Sequence, residues 1–320
     1  MILPEVLVTG ASGFVGEAIV FRLLADKKYN PIAVLRKPTR LCGLCRIQSL
    51  DLGDAKSLPS LGNVQVVIHA AARVHVMNES VKDVLSEFRK INVDGTLRLA
   101  RHAADAGVKR FIFVSSIKVN GESTILGRPF RADDPSSPCD PYSVSKYEAE
   151  EALKKLGHNT GMEIVIIRPP LVYGRGVKAN FLGMLNLIYK GIPLPLGAIR
   201  NRRSLVAIGN LVSLIVTCID HPAASNQTFL VSDGEDVSTT QLLRRLAKAL
   251  GRPARLLPLP RWLLSWGGAV LGREAVLSRV CGSLQVDIEK NSALLGWKPI
   301  FSMEETIRQT ADHYLEEQTK

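Results

Sequence analysis

A tyrosine stands four residues before a lysine in the stretch DPYSVSK, residues 140–146. Four residues are about one helical turn, so Tyr142 and Lys146 would share a helix face, and a proline at position 141 suits the first turn. A phenol with a pKa of about 10 is a poor base at neutral pH, but a neighbouring ammonium favours the phenolate. The pair could therefore transfer a proton. Because the same spacing also occurs on ordinary surface helices, the rest of the chain must decide between the two.

Three glycines, Gly10, Gly13 and Gly16, separate a predicted strand at 5–9 from a predicted helix. Glycine lets the backbone turn tightly and approach a ligand without a Cβ atom. The N-terminus of the helix that follows presents N–H groups and the positive end of the helix dipole to a phosphate. At the start of a series of strands and helices, this arrangement predicts a dinucleotide-binding loop.

The end of the second predicted strand bears on the identity of the dinucleotide. An acidic residue there binds the adenosine ribose of NAD, whereas an arginine accommodates the 2′-phosphate of NADP. Here Arg36 and Lys37 follow the strand, and no carboxylate does. A guanidinium can bind a phosphate through two hydrogen bonds. We therefore favour NADP(H), with NAD as the alternative.

Short apolar runs alternate with helical patterns through the first half of the chain. The clearest runs lie at 5–9, 31–36, 64–70, 109–116 and 163–169. They are continuously apolar, which is typical of a parallel sheet covered on both faces, so we predict an α/β fold with a Rossmann doubly wound parallel sheet. The pattern loosens after about residue 170. We predict an NAD(P)-binding domain over 1–170 and a smaller C-terminal substrate-binding lobe over 171–320, with some segments returning to the first domain.

Composition limits the location and partners of the protein. The 320 residues are 46% hydrophobic and 22% charged, a globular balance, and no apolar run is long enough to span a membrane. The N-terminus has the pattern of a strand and not of a signal peptide, so we expect a cytoplasmic protein with no stable membrane insertion. The apolar segment 261–272 is expected to pack within the second lobe, with contact to a membrane interface as the alternative.

The charge and the cysteine content limit the kinds of ligand that the protein is expected to bind. The net charge is +11, and the basic residues are spread along the chain and not gathered in one block. This distribution favours an anionic, phosphate-bearing ligand over nucleic acid. The chain has five cysteines, and Cys42 and Cys45 form a CxxC without a second ligand pair at matching spacing. We therefore expect thiols in a reducing compartment and no metal site.

Several motifs occur in an order that resembles the extended short-chain dehydrogenase/reductase family, in its nucleotide-sugar epimerase/dehydratase branch. The resemblance covers nearly the whole chain. The motifs are TGASGFVG (9–16), DLGD (51–54), HAAA (69–72), INVDGT (91–96), VSS (114–116), YSVSK (142–146), RPPLVYG (168–174) and LLGWKP (294–299).

The resemblance implies a catalytic set of Ser116, Tyr142 and Lys146. Ser116 would hydrogen-bond the reacting oxygen of the substrate, and Tyr142 would move a proton while nicotinamide moves a hydride. Lys146 would lower the pKa of Tyr142 and hold the nicotinamide ribose. The implied cofactor-binding residues are Gly10, Ser12, Gly13, Phe14, Val15, Gly16, Arg36, Asp51, Leu52, Ala70, Ala71, Ala72, Asn92, Tyr142, Lys146 and Pro169.

Substrate contacts are also implied by the resemblance. Asn180 and Arg203 would bind the diphosphate and nucleotide of a UDP-sugar, with Arg279 as a further candidate, although Ser204 replaces the aspartate usual after this arginine. His75, Lys118 and Asn120 are expected to face the sugar together with Ser116. For Lys118 the reason is that it lies two residues past Ser116, on the same side of an extended segment.

The residues after Ser116 bear on the reaction. Ile117 and Lys118 stand where sugar 4,6-dehydratases of the family carry an acidic pair, which argues against dehydration and leaves redox chemistry at C4. Arg36 favours an NADP(H)-dependent reductase. The SSIKVNG stretch resembles O-antigen reductases, which implies reduction of a UDP-2-acetamido-2,6-dideoxy-hexos-4-ulose to UDP-N-acetylquinovosamine or its C4 epimer, for surface polysaccharide synthesis.

Two other functions stay open at this point. The first is a UDP-hexose or UDP-N-acetylhexosamine 4-epimerase with tightly bound NAD, and the second is a non-catalytic NADP-sensing protein. The resemblance also allows a homodimer packed through the long helices at about 80–105 and 141–157.

Overall fold

A computed structural model describes residues 3–74, 83–260, 263–264 and 274–319. Within these residues the main sheet has seven parallel strands, in the order β3-β2-β1-β4-β5-β6-β9. The strands are β1 (Glu5–Thr9), β2 (Asn30–Val34), β3 (Arg46–Gln48), β4 (Val64–His69), β5 (Arg110–Val114), β6 (Glu163–Arg168) and β9 (Thr228–Leu230). The strand order reverses between β1 and β4, which is where Rossmann folds bind their ligands. The predicted α/β fold with a doubly wound parallel sheet is confirmed.

Helices cover both faces of this sheet. The helices within the described residues are α1 (Phe14–Asp26), α2 (Val84–Arg89), α3 (Thr96–Asp105), α4 (Pro141–Thr160), α5 (Ala179–Tyr189), α6 (Ile208–Asp220), α7 (Thr239–Ala249), α8 (Glu274–Cys281), α9 (Glu289–Leu295) and α10 (Met303–Gln318). Adjacent strand residues such as Val67 and Ile68 are both fully buried, because Val67 meets the face covered by α3 and α4 and Ile68 the face covered by α1 and α6. This explains why the strands are continuously apolar.

The second half of the chain builds a smaller sheet and also returns to the first. β7 (Leu171–Tyr173) pairs in parallel with β8 (Arg203–Ala207), which pairs antiparallel with β10 (Asp236–Val237). A separate core lies between this sheet and helices α5, α7 and α10. In contrast, β9 joins the edge of the main sheet beside β6, and α6 packs on α1. The predicted division at residue 170, with some segments returning to the first domain, stays a prediction.

A π-helical turn, Lys90–Gly95, joins α2 to α3. Such turns are uncommon and often lie at functional sites. Gly95 lets this turn approach the loop after β3, because a Cβ atom on Gly95 would lie 2.6 Å from the carbonyl oxygen of Leu52. The turn therefore lies against a loop that the sequence assigned to the cofactor.

Two predictions fall wholly or largely outside the described residues. His75 is one of them, and its predicted contact with the sugar stays a prediction. Of the apolar segment 261–272, residues 263–264 are described, and Leu264 is buried against Ile199 and Cys281. Among the helices of the described residues, none combines the length and the apolar character needed to cross a membrane.

Candidate active site

The glycine loop between β1 and α1 forms a cradle that side chains would fill. Gly10 has a φ of 69°, and a Cβ atom there would lie 2.7 Å from the backbone nitrogen of Ala71. A Cβ atom on Gly16 would collide with the carbonyl group of Gly10. No side chain caps the start of helix α1 after Gly13, so the first backbone N–H groups of the helix have no side-chain acceptor there. The loop therefore fits an anionic group such as a pyrophosphate.

The neighbouring loop, Ala70–Arg73, is fixed by Asn92 from the π-helical turn. The side-chain oxygen of Asn92 accepts a hydrogen bond from the backbone N–H of Arg73 at 2.8 Å. Its amide nitrogen donates to the carbonyl of Arg73 and to Ser145 Oγ, both at 3.0 Å. Because Ser145 lies on α4, Asn92 ties the loop to the helix that carries Tyr142. The geometry is that of a brace, and direct contact of Asn92 with a cofactor stays a prediction.

The predicted adenine end lies at the tips of β2 and β3. Arg36 is exposed just after β2, and Asp51 is exposed after β3. One Asp51 carboxylate oxygen accepts the backbone N–H of Gly53 at 2.9 Å, which closes a tight turn. Leu52 is buried, and its carbonyl accepts from Arg98 at 2.5 Å. The remaining cofactor candidates lie around the glycine loop or at the C-terminal ends of β4 and β6. They are Ser12, Phe14, Val15, Ala70, Ala71, Ala72 and Pro169.

The catalytic candidates meet where β5 ends and α4 begins. Asp140 caps α4, accepting the backbone N–H of Ser143 at 2.7 Å, so Tyr142 falls in the first turn. The ring of Tyr142 packs edge-on against Phe88, with centroids 5.9 Å apart. One turn later, Lys146 Nζ donates to the carbonyl oxygen of Val114 at 2.8 Å, two residues before Ser116. The spacing of YSVSK therefore places Lys146 beside the end of β5, one helical turn from Tyr142, and the catalytic roles of both residues stay predictions.

Burial changes the acidity of both groups. It raises the pKa of Tyr142 to about 12, with the negative charge of Asp140 adding to the effect. It lowers the pKa of Lys146 to about 7, although the charge of Glu150 acts in the opposite direction. The predicted lowering of the Tyr142 pKa by Lys146 stays a prediction, since in the protein alone the pKa values of both groups move so as to favour their neutral forms. The reason is that the low-dielectric surroundings disfavour the charged form of each group.

Lys118 does not lie where the sequence predicted. The residues after Ser116 form a 3-10 turn, Ile117–Val119, closed by the backbone N–H of Asn120, which donates to the carbonyl of Ile117 at 2.9 Å. The backbone N–H of Ile117 donates to the carbonyl of Pro169 at 3.0 Å. The argument from an extended segment is therefore wrong. Lys118 Nζ instead makes a close ion pair with Asp140, the cap of α4. It acts on the helix start that carries Tyr142, and a contact with the sugar would need this pair to open.

Asn120, at the end of the same turn, is also buried. It is 2% exposed, its side-chain oxygen accepts from Arg168 Nη1 at 2.9 Å, and its amide donates to the carbonyl of Arg131 at 3.0 Å. Both ends of the amide are thus bonded to protein, because the 3-10 turn directs the side chain inward. Asn120 therefore links Arg168 to the backbone at Arg131, and its role toward the sugar stays a prediction.

Sequence reasoning missed an ion pair behind the catalytic residues. Arg168 of β6 donates from Nη2 to Glu150 Oε2 at 2.5 Å and from Nε to both carboxylate oxygens, at 3.0 and 3.1 Å. Ser115 also donates a short hydrogen bond to Glu150. The side chains of Glu150 and Arg168 are 0% and 3% exposed. The available signal was spacing, because Glu150 lies four residues after Lys146 on the same face of α4.

The predicted diphosphate residues lie in the second lobe. Asn180 is exposed in the first turn of α5, beside Ala179, which has a φ of 54°. Arg203, at the start of β8, donates to the carbonyl oxygens of Arg279 and Gly282 at 2.6 and 3.1 Å. The fold thus brings Arg203 and Arg279 together, although it is the backbone of Arg279 that makes the contact. Their roles toward a substrate stay predictions.

Residues 6–232 match the NAD dependent epimerase/dehydratase family. The chain belongs to this family. A UDP-glucose 4-epimerase of Vibrio cholerae is 47% identical over 315 residues, which are 98% of this chain and 96% of the relative.

Solved structures with the same fold include two epimerases. The UDP-glucose 4-epimerase of Thermotoga maritima, solved with UDP-glucose, has a TM-score of 0.78 at 22% identity and covers 98% of this chain and 99% of its own. The UDP-glucuronic acid 4-epimerase of Bacillus cereus, in complex with NAD, has a TM-score of 0.79 at 20% identity, with coverage of 99% and 100%. At these identities the likeness establishes the fold.

Membership of the NAD dependent epimerase/dehydratase family gives the site a chemical class. The protein is an enzyme of nucleotide-sugar epimerase/dehydratase type, and its glycine cradle suits the dinucleotide after which the family is named. The comparisons favour the epimerase alternative over the 4-reductase that the sequence analysis ranked first. They likewise give no support to NADP over NAD.

Proposed function

We propose that this protein is a UDP-hexose 4-epimerase that uses NAD. The observation that carries the proposal is the 47% identity, along almost the whole of both chains, to a protein named UDP-glucose 4-epimerase. The positions of Ser116, Tyr142 and Lys146 at the C-terminal edge of the sheet support it. UDP-glucose or the corresponding N-acetylhexosamine is the proposed substrate.

Each step of the proposed reaction assigns a task to the chain's own residues. NAD, held by the glycine loop, would supply reversible hydride acceptance at C4 of the sugar. Tyr142 would take the proton of the C4 hydroxyl and later return it, and Ser116 would hold the same oxygen by a hydrogen bond. With a pKa of about 12, Tyr142 needs a nearby positive charge to populate the phenolate that takes the proton of the C4 hydroxyl. Glu150 favours the charged form of Lys146, which lies one turn away.

A second candidate is an NADPH-dependent 4-reductase. The observation in its favour is that Arg36 and Lys37 are exposed at the end of β2, with no carboxylate there to bind the ribose of NAD. An arginine at this position can accept a 2′-phosphate. A reductase consumes one hydride in each turnover and so needs an exchangeable cofactor. An epimerase returns its hydride and can keep its NAD.

The deciding experiment separates these candidates by product and cofactor. Purified protein incubated with UDP-glucose or UDP-N-acetylglucosamine should form the C4 epimer without added NADPH, and denaturation should release NAD. Tyr142→Phe should lower the rate by about 10²–10⁴-fold, as expected for a general acid–base residue. Tyr147→Phe, on the same helix, is the matched control and should retain activity. NADPH oxidation on a UDP-4-keto sugar, with no epimer from the two substrates, would replace the proposal by the reductase.

A further inference from the structure

The net positive charge of the chain is confined to two segments. Residues 175–219 contain six lysines and arginines, and residues 237–273 contain seven; neither segment has an aspartate or glutamate. Since the whole chain has 41 basic and 30 acidic residues, the remaining positions hold 28 basic and 30 acidic residues and have a net charge of −2. The basic residues are spread along the whole chain, but the acidic residues are missing from these two segments.

The two acid-free segments meet in the second lobe. The backbone N–H of Leu194 donates to the carbonyl of Arg255 at 2.9 Å, and that of Leu257 donates to the carbonyl of Leu194 at 2.8 Å. The guanidinium of Arg252 lies 4.8 Å from the ring centroid of Tyr189. These contacts join the end of α5 to the strand-like stretch after α7. Charges far apart in sequence therefore share one surface.

This surface combines basic and apolar side chains. We define the basic–apolar patch as Lys190, Ile192, Arg252, Arg255 and Leu257, all of which are exposed. Ile192 and Leu257 expose 42% and 51% of their surface. Two acidic residues of the adjoining helix α10 form ion pairs elsewhere, Glu304 with Lys248 and Glu316 with Arg175. The charge of the patch is thus left uncompensated by the ion pairs of the described residues.

The patch lies away from the predicted substrate residues. Lys190 and Ile192 follow the C-terminal end of α5, whereas Asn180 lies in its first turn. The helix has 11 residues, so its ends are about 16 Å apart at about 1.5 Å per residue. The patch is therefore available to a second ligand while the nucleotide-sugar site is occupied.

We propose that the basic–apolar patch binds the surface of a membrane that contains anionic phospholipids. Peripheral binding of this kind combines burial of apolar side chains at the headgroup boundary with attraction of lysine and arginine to anionic headgroups. The interleaving of Ile192 and Leu257 with three cations matches both requirements. Sites for single-stranded nucleic acid typically add aromatic side chains on which the bases stack, and the patch has no aromatic member. The inference does not depend on the proposed epimerase activity.

Co-sedimentation of the full-length protein with vesicles tests the proposal. We expect binding to vesicles of phosphatidylcholine with phosphatidylglycerol, weaker binding to phosphatidylcholine alone, and a decrease with salt. The triple variant Lys190→Gln/Arg252→Gln/Arg255→Gln should lower the partition coefficient by about 100-fold, since each basic side chain near an anionic surface contributes about five-fold. Ile192→Ser/Leu257→Ser should also weaken binding, and at high salt its effect should dominate.

Matched controls distinguish the effect of the patch on vesicle binding from effects of total charge, of folding and of catalysis. Lys28→Gln/Lys109→Gln/Lys155→Gln removes three exposed charges from the main-sheet half and should bind vesicles like the parent. Thermal unfolding shows that each variant is folded, and Tyr142→Phe should bind normally even if the proposed function fails. Equal losses in both triple variants would overturn the proposal. So would patch-dependent binding of single-stranded RNA without vesicle binding, which would assign the patch to nucleic acid.

Discussion

Neutralising Glu150 should destabilise the protein far more than a typical surface change would. The carboxylate is fully buried and bonded to Arg168, itself 3% exposed, and to Ser115. In Glu150→Gln the guanidinium of Arg168 stays buried without a counter-charge. Removing one partner of such a pair costs about 3–5 kcal/mol, because the remaining charge is not solvated.

This loss of folding free energy corresponds to a decrease in the melting temperature, Tm. Unfolding entropy is about 2.1 cal/mol/K per residue, which for 320 residues amounts to about 0.7 kcal/mol per degree. A loss of about 3–5 kcal/mol therefore lowers Tm by about 4–8 °C. Replacing both partners, in Glu150→Gln/Arg168→Met, removes both buried charges. The double variant should then be destabilised by less than the sum of the two single variants, by about 2 kcal/mol or more.

Urea unfolding of the parent, the two single variants and the double variant closes this thermodynamic cycle. The effect of Glu150 on the active site is measured separately, by the pH profile of kcat. Because the charge of Glu150 raises the pKa of Lys146, Glu150→Gln should move the transition of Lys146 below pH 7. If the two single effects add within about 0.5 kcal/mol, the pair is not coupled and the reasoning from a buried ion pair is refuted.

Three further outcomes are expected. Gly16→Ala should abolish cofactor binding in a fluorescence titration because its Cβ atom meets a backbone carbonyl, whereas the control Gly183→Ala, with open space at that atom, should bind normally and gain up to about 1 kcal/mol of stability. Lys118→Met should move the rising limb of the kcat/KM–pH profile to higher pH. The reason is that the pKa of Tyr142 rises when the negative charge of Asp140 is no longer balanced by Lys118. A limb at unchanged pH would contradict the assignment of this ion pair. Burial lowers the pKa of His69 from 6.5 to about 3, so on acidification the unfolded chain binds a proton at this residue before the folded protein does. The free energy of unfolding should therefore fall as the pH drops from 6.5 toward 3. His69→Gln should reduce this pH dependence, as measured by urea titrations at several pH values.

The elements and the cofactor cradle could be predicted because their signals are local. The continuously apolar runs follow from burial on both faces of the sheet, and the need for glycine at position 10 follows from a positive φ at one turn. The spacing of Tyr142 and Lys146 is a property of one helix, so their common position needs no knowledge of distant contacts. These parts of the site depend on residues within a few positions of one another.

The features that the sequence could not predict depend on contacts between distant residues. The turn that redirects Lys118 and Asn120 is attached by the backbone N–H of Ile117 to Pro169, which lies more than 50 positions later. The raised pKa of Tyr142 results from burial, which only the assembled fold defines. In the same way, the spacing of Glu150 suggests its helix face, but its partner lies on β6 and could not be identified from that spacing.

The place of β9 at the edge of the main sheet has a consequence during synthesis on the ribosome. The sheet cannot be completed when β6 emerges, because its last strand follows about 60 residues later, after β7, β8 and α6. At about 5–20 residues per second, the edge of β6 and the apolar face that α6 covers are exposed for about 3–12 s on each nascent chain. Since unpaired strand edges invite association between chains, this interval is where newly made molecules are most open to aggregation and where a chaperone would act.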